Sequence, residues 1–328
     1  MSKTYIGVDL GGTKTAVVIS SSLPVCLERI EFPTLPEEGP TRGVDAILQA
    51  IRKLLKRNAC GSGEIAAIGV SCGSPLDRVH GVIQAPPNMA TWVDVPIRKI
   101  LEDAFHAPCL VENDANAGAV AEHRYGAGRG VKHMVFLTLG TGLGAGIILN
   151  GEIYHGAEDS AGEIGHVRLT RSGPVGYGKA GSVEGWASGG GMARLAISMA
   201  AKPAAGGARS VLRERLAAQG TLTAKDVVEA AHAGDALARR VLELSGKKLG
   251  QAIAILIDLL NPQRIVLGSL AARIGEPLLA PMRKEVEREA LPQAARDCEI
   301  VLSELGERIG DVAALCVAAG FVGPGERL

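Results

Sequence analysis

Aromatic residues are scarce in this 328-residue chain, at 3%. A platform for stacking nucleic-acid bases needs several of them, so that class of function is excluded. Excess charge is also missing: 35 Lys and Arg balance 35 Asp and Glu, for a formal net charge of +0. A constitutive nucleic-acid binder would show a basic face. The six cysteines (Cys26, Cys60, Cys72, Cys109, Cys298, Cys316) form no CxxC pair, which reads as a reduced cytosolic protein rather than a disulfide scaffold. The opening "MSKTYIGVDLGG" lacks a basic stretch followed by an apolar one, and no apolar run approaches the ~18 residues of a membrane span. The expected compartment is therefore the cytoplasm. No Ser/Gly linker or charge block divides the chain.

What is present is glycine, 43 residues of it, in a chain that is 47% apolar. Glycine at that level without a collagen-like period points to tight turns and close backbone approaches. The length suggests two domains of ordinary size. "TYIGVDLGGTKTAVVIS" reads as a hairpin turning at Gly11-Gly12, and "HMVFLTLGTGLGAGIILNG", about 130 residues later, repeats the pattern. Two glycine-turn hairpins, each opening an α/β region, suggest a duplicated architecture. Val44, Ile47, Leu48, Ile51, Leu54 and Leu55 fall on one helical face. "IAAIGVSCGSP" and "HAPCLVEND" read as buried parallel strands, and "ANAGAVAEHRYG" as a helix. A long helix stops before Pro262, "QRIVLGSL" is a buried strand, and "GDVAALCVAAGF" contributes a last apolar helix.

Glycine turns bind phosphate because bare backbone N–H groups can converge on its oxygens. "GGTK" is too short for a P-loop and leads into a strand, and "GTGLGAG" has Ala145 where a dinucleotide fingerprint needs its third glycine. Two hairpin tips facing each other across a cleft would instead suit a triphosphate. Asp9 could hold Mg²⁺ directly or through water, since Mg²⁺ prefers oxygen ligands and keeps several waters.

"DLGGTK", "VENDANA", "LTLGTGLGAG" and "GEIGH", in this order, resemble the ROK family of sugar kinases and sugar-responsive repressors. The resemblance implies a two-domain α/β protein with the actin-like (ribonuclease H-like) ATPase fold. The expected domains are residues 1–117 and 118–308, with a helix at 309–328 packing back on the first. It implies ATP and Mg²⁺ as cofactors, with the nucleotide on Asp9, Gly11, Gly12, Thr13, Lys14, Gly140, Thr141, Gly142, Gly268 and Ser269. The sugar would be held by Gly73, Asn88, Asn113, Asp114, Glu163, His166 and Glu184. Asp114, in "END", stands where these kinases keep the general base. Taken alone, a residue at that strand-to-helix junction could as well be a helix cap.

ROK proteins commonly carry a structural zinc on the histidine of "GxxGH" and three cysteines of a CGCGxxGCxE pattern. Laid on "VGYGKAGSVE", that pattern keeps Gly176, Gly178, Gly181 and Glu184, but its cysteine positions are Val175, Tyr177 and Ser182. Only His166 is left of four ligands, so no zinc is expected. Val175 and Tyr177 could fill volume, and Tyr177 and Ser182 could hydrogen-bond. Only Met1 to Gly7 precede Val8-Asp9, which reads as leaving no place for a repressor's helix-turn-helix. A sugar-independent ATPase would leave Asn88, Glu163, His166 and Glu184 unexplained together. The expected activity is ATP-dependent phosphorylation of a hexose, first the 6-hydroxyl of glucose. Another hexose, N-acetylmannosamine or a glucoside is the alternative, and a non-catalytic regulator the remoter one. The expected partners are the hexose and ATP, with no nucleic acid or membrane, in the homodimer or homotetramer frequent among relatives.

Overall fold

The computed structural model describes residues 3–203 and 209–321. Fourteen strands occur among them: β1 (Thr4–Leu10), β2 (Lys14–Ser20), β3 (Glu28–Pro33), β4 (Ile65–Cys72), β5 (Leu76–Asp77), β6 (Val82–Ile83), β7 (Cys109–Asn113), β8 (Met134–Leu139), β9 (Leu143–Leu149), β10 (Glu152–Ile153), β11 (Val175–Gly176), β12 (Lys179–Ala180), β13 (Arg264–Leu267) and β14 (Glu299–Leu302). They build two five-stranded sheets, in the orders β3-β2-β1-β4-β7 and β10-β9-β8-β13-β14. Each sheet opens with a glycine-turn hairpin and then adds two parallel strands: β4 and β7 beyond β1, β13 and β14 beyond β8. The duplication expected from the two hairpins is therefore a repeat of topology.

Two compact units divide the chain: Met1–Lys132 with Gly146–Ala161 and Glu304–Leu328, and His133–Ala145 with Gly162–Ser303. In the first, the helix Pro40–Arg57 buries Val44, Ile47, Ile51, Leu54 and Leu55, the face its apolar spacing predicts. Ile47, Ile51 and Leu54 are fully buried, worth ~1.5–3 kcal/mol each. Beyond Asp311 in its first turn, the helix Ile309–Ala318 is apolar all round and buried from Val312 to Ala318, as a helix buried on every side must be. It packs on β1 and β4, where Gly69 of β4 lies so close to Ala314 and Ala318 that a Cβ would stand 2.2 Å from the Ala318 amide nitrogen. The expected helix extended to residue 328; it ends at Ala318, and 322–328 lie outside the described residues. In the second unit, the helix Ala236–Leu260 runs through the core and ends at Asn261, whose left-handed backbone (φ 44°) stops it just before Pro262.

No helix among the described residues is long and apolar enough to cross a membrane. All six cysteines are free thiols.

Candidate functional site

In the first unit, β7 ends at Asn113 and a helix begins at Asp114. The cap is Asn113: its Oδ1 accepts the N–H groups of Ala115 (2.9 Å) and Asn116 (3.2 Å). Its Nδ2 donates to Ser74 Oγ at 2.8 Å. The capping role that Asp114 could have taken thus falls to its neighbour. Asp114 is the first helical residue, exposed, with Oδ1 accepting the adjacent Ala115 N–H at 2.8 Å. Surrounding protein mass raises its pKa above the ordinary carboxylate value, and that backbone hydrogen bond works the other way.

Asp9 lies one residue from the end of β1, paired to Ala16 on one side and Ser71 on the other. Burial, followed by the charges of Asp114 and Asp311, lifts its pKa to about 7, against the opposing pull of Lys14 and Arg29. Gly310, at the start of the last helix, approaches so closely that a Cβ there would stand 2.1 Å from Asp9 Oδ2. The turn that follows is braced by Thr34, whose Oγ1 donates to Gly11 O (2.6 Å) and whose N–H donates to Thr13 O (3.2 Å). Gly11 N–H closes on Lys14 O at 3.1 Å, and Lys14 pairs with Glu31 at 2.9 Å on the surface.

Gly12 brings the turn to Asn88. A Cβ at position 12 would meet Asn88 Cβ at 2.4 Å and its carbonyl oxygen at 2.7 Å, so only glycine fits without moving Asn88. Asn88 itself is exposed on a short 3-10 turn, Pro87–Met89, anchored by buried Met89; the fully buried Trp92 follows. If Asn88 contacts the sugar, as the resemblance implies, Gly12→Ala is expected to weaken sugar binding by roughly tenfold, a displacement effect seen as raised KM with little change in melting temperature. Unchanged KM for both substrates would count against it. Gly73 is different: no atom lies within 4 Å of where its Cβ would stand, so packing alone does not require glycine there.

In the second unit, Gly140, Thr141 and Gly142 join β8 to β9. The carbonyls of Gly140 and Thr141 accept the N–H groups of Gly189 (2.8 Å) and Gly190 (3.1 Å). Ser188 Oγ caps the same helix, Gly189–Ala200, by accepting Gly191 N–H at 3.0 Å. The sequence reading missed this brace; its signal was "SGGG" at Ser188–Gly191, a cap residue followed by three glycines. Glu184 Oε2 accepts Leu143 N–H at 3.3 Å, holding its carboxylate at the Gly142 turn. Gly268 caps the short helix Ser269–Ile274 and donates its N–H to Leu137 O at 2.9 Å, while Ser269 Oγ accepts from Arg273.

Glu163 and His166 bracket the 3-10 turn Ile164–His166, and both are exposed. His166 N–H donates to Glu163 O at 3.0 Å. The β11–β12 hairpin closes on this histidine: Lys179 Nζ donates to His166 O at 2.8 Å, and the Tyr177 ring stands edge-on to the imidazole with centroids 5.9 Å apart. Volume filling by Val175 and Tyr177 does not occur, since they are 45% and 61% exposed. Val175 is on the two-residue strand β11, and Tyr177 is in the turn beyond it, with a left-handed backbone (φ 42°). Ser182 is fully buried and caps the helix Val183–Ala187, its Oγ accepting Gly185 N–H at 3.1 Å. His166 beside valine, tyrosine and serine does not make a closed zinc site, which needs four nitrogen or sulfur donors. Among the described residues, no group of three His, Cys, Asp or Glu could hold a metal ion.

The chain is 36% identical over 308 residues to a glucokinase of Halalkalibacterium halodurans, covering 93% of this chain and 92% of the other. Among solved structures, the ROK hexokinase from Thermus thermophilus superposes with TM-score 0.75 at 30% identity, over 96% of this chain and 97% of the other. A ROK family glucokinase from Streptomyces griseus, solved with glucose and AMPPNP, superposes with TM-score 0.79 at 29% identity over 97% and 99%. These likenesses bear out the expected actin-like fold. The ROK family model matches residues 5–320, and the chain belongs to the ROK family.

Proposed function

We propose that this protein is an ATP-dependent kinase that transfers the γ-phosphoryl group to the 6-hydroxyl of glucose. The observation that carries the reading is Asp114: exposed, relieved of capping by Asn113, and with a pKa raised toward the range useful to a general base. Asp114 takes the proton of the attacking hydroxyl as the sugar O–P bond forms and the bond to the β-phosphate oxygen breaks, releasing ADP. A loose transition state asks mainly for positioning and charge neutralisation. The Gly11–Lys14 and Gly140–Gly142 turns, together with Gly268 and Ser269, suit the nucleotide. Asp9 suits Mg²⁺ carried on its phosphates, through water.

For the sugar, Asn88, Asn113, Glu163, His166 and Glu184 supply donors and acceptors for vicinal hydroxyls. Asn113 has already committed Oδ1 and one Nδ2 hydrogen, so it offers the sugar its remaining N–H. Gly73 leaves open backbone beside it. The glucokinase from Halalkalibacterium halodurans supports glucose as the substrate. Tyr177, exposed at His166 in place of a cysteine of the family's zinc pattern, favours a second reading in which a different hexose, an N-acetylhexosamine or a glucoside is taken. A coupled assay of kcat/KM across hexoses and N-acetylhexosamines decides between them. ATP turnover indifferent to every sugar would overturn both. We further place the protein in the cytoplasm, as a homodimer or homotetramer.

The loop 175–182 holds its shape without metal in this reading. Purified protein is expected to carry well under one zinc per chain, and a chelator to leave its melting temperature unchanged. About one zinc per chain on elemental analysis would refute this.

A further inference from the structure

Next to Asp114 lies a buried charge that the proposed reaction does not use. Glu112, on β7, is 1% exposed. Its Oε1 accepts the N–H of Asn113 (2.9 Å) and the Nδ2 of Asn116 (3.1 Å), the residues one before and two after Asp114. Asn116 Oδ1 is buried without a partner, so the placement of that amide rests on its bond to Glu112. On its other side, Glu112 Oε2 accepts from His155 Nε2 at 2.8 Å and faces Arg78 Nε at 4.0 Å. Arg78 in turn pairs with Asp159 at 3.2 Å. The His155 side chain is 10% exposed, so its bond to Glu112 is sheltered from water.

A buried carboxylate keeps its charge and its place only while partners answer it. Here the partners come from outside the junction: His155 and Asp159 from the segment after β10, Arg78 from the turn after β5. The segment 155–161 closes on itself through Ala161 N–H to His155 O at 2.9 Å, and leads in the chain to Glu163. Buried networks of this kind fix the geometry of what they touch, and the loss of one partner is felt at the others.

We propose that His155 is a positioning residue for Asp114: by holding the Glu112 carboxylate it fixes the β7-to-helix junction on which Asp114 is mounted. This deepens, and rests on, the reading of Asp114 as the general base. His155 makes no contact with the reacting atoms in this scheme. Its loss therefore acts on the geometry of proton acceptance rather than on substrate affinity.

Three variants test it. His155→Leu keeps volume and removes the donor, His155→Gln keeps a donor, and Glu112→Gln combined with His155→Leu removes the buried charge as well. His155→Leu is expected to lower kcat about 10–100-fold, the scale of a small misplacement, with KM for ATP and sugar within about twofold. His155→Gln is expected to restore most of kcat. Amide hydrogen exchange at Asn113, Ala115 and Asn116 should accelerate about tenfold or more in His155→Leu and stay slow in His155→Gln, a local opening without global unfolding. Should His155→Leu fail to fold, the double variant provides the same two readings without the unanswered buried charge. Unchanged exchange at the junction, a loss of kcat that glutamine does not restore, or a loss confined to KM would each overturn the proposal. The exchange measurement needs no activity, so a wild-type protein that phosphorylates no sugar would sink the kinase reading while exchange still judges the junction.

Discussion

Asp114→Asn is expected to lower kcat by about 10²–10⁴, the usual reach of a positioned general base, with KM for ATP and sugar little changed. The asparagine keeps the shape and the hydrogen bond from Ala115 N–H but cannot take a proton at the start of the transfer. Helix stability should hardly move, because the cap is Asn113 and stays in place. That separation makes the variant informative: a lowered melting temperature would show Asp114 acting structurally, a modest rise is what relief of its raised pKa predicts, and near-normal turnover would remove it from the chemistry. In the wild type, the raised pKa of Asp114 places an acid limb on kcat/KM above the ordinary carboxylate range, lost in the variant.

Asp9→Asn is expected to separate activity from stability in opposite directions. The folded chain holds a proton on Asp9 up to about pH 7, whereas the unfolded chain releases it near the ordinary aspartate value of 3.8. Between those values the native state binds the extra proton, so the stability contributed by this residue falls as pH rises and is lowest above about 7. Asparagine carries no such burden. The variant should melt higher than wild type at pH 8, by roughly 2–4 °C per kcal/mol relieved, and the two should converge near pH 4. Its turnover should meanwhile fall by on the order of 10² or more, because charge neutralisation by a bound metal is worth several kcal/mol. It should also need more Mg²⁺ for half-maximal rate. A variant that melts lower at pH 8, or one with unaltered Mg²⁺ dependence, would refute the role of Asp9.

Much of the site could be read from the chain because its signals are local. A strand, then Asn113-Asp114, then an alanine-rich helix is one continuous run, and the structure keeps it together. What local signals could not assign is which of the two residues caps: asparagine and aspartate cap about equally well, and the backbone decides. Val175 and Tyr177 were expected inside and lie outside: Val175 is on a two-residue strand that takes its facing from the hairpin, and Tyr177 is in the hairpin turn itself. Glu112 and His155 pair across 43 residues, and neither stands in a periodic segment that would predict the other. The compact units are likewise hidden from a linear reading, since the chain passes from one to the other at 132–133, 145–146, 161–162 and 303–304.

The last of those crossings has a consequence for synthesis. The helix Ile309–Ala318 covers β1 and β4, and Gly310 completes the surroundings of Asp9. A ribosome that has made every strand of the first sheet has still not made its cover. Until residues 309–318 emerge, the nascent chain presents an apolar sheet face notched at Gly7 and Gly69 to receive a helix that does not yet exist. Folding of the first unit thus waits on residues 309–318, made long after its sheet, and a chain interrupted before that helix offers the bare face to chaperones and to its own neighbours.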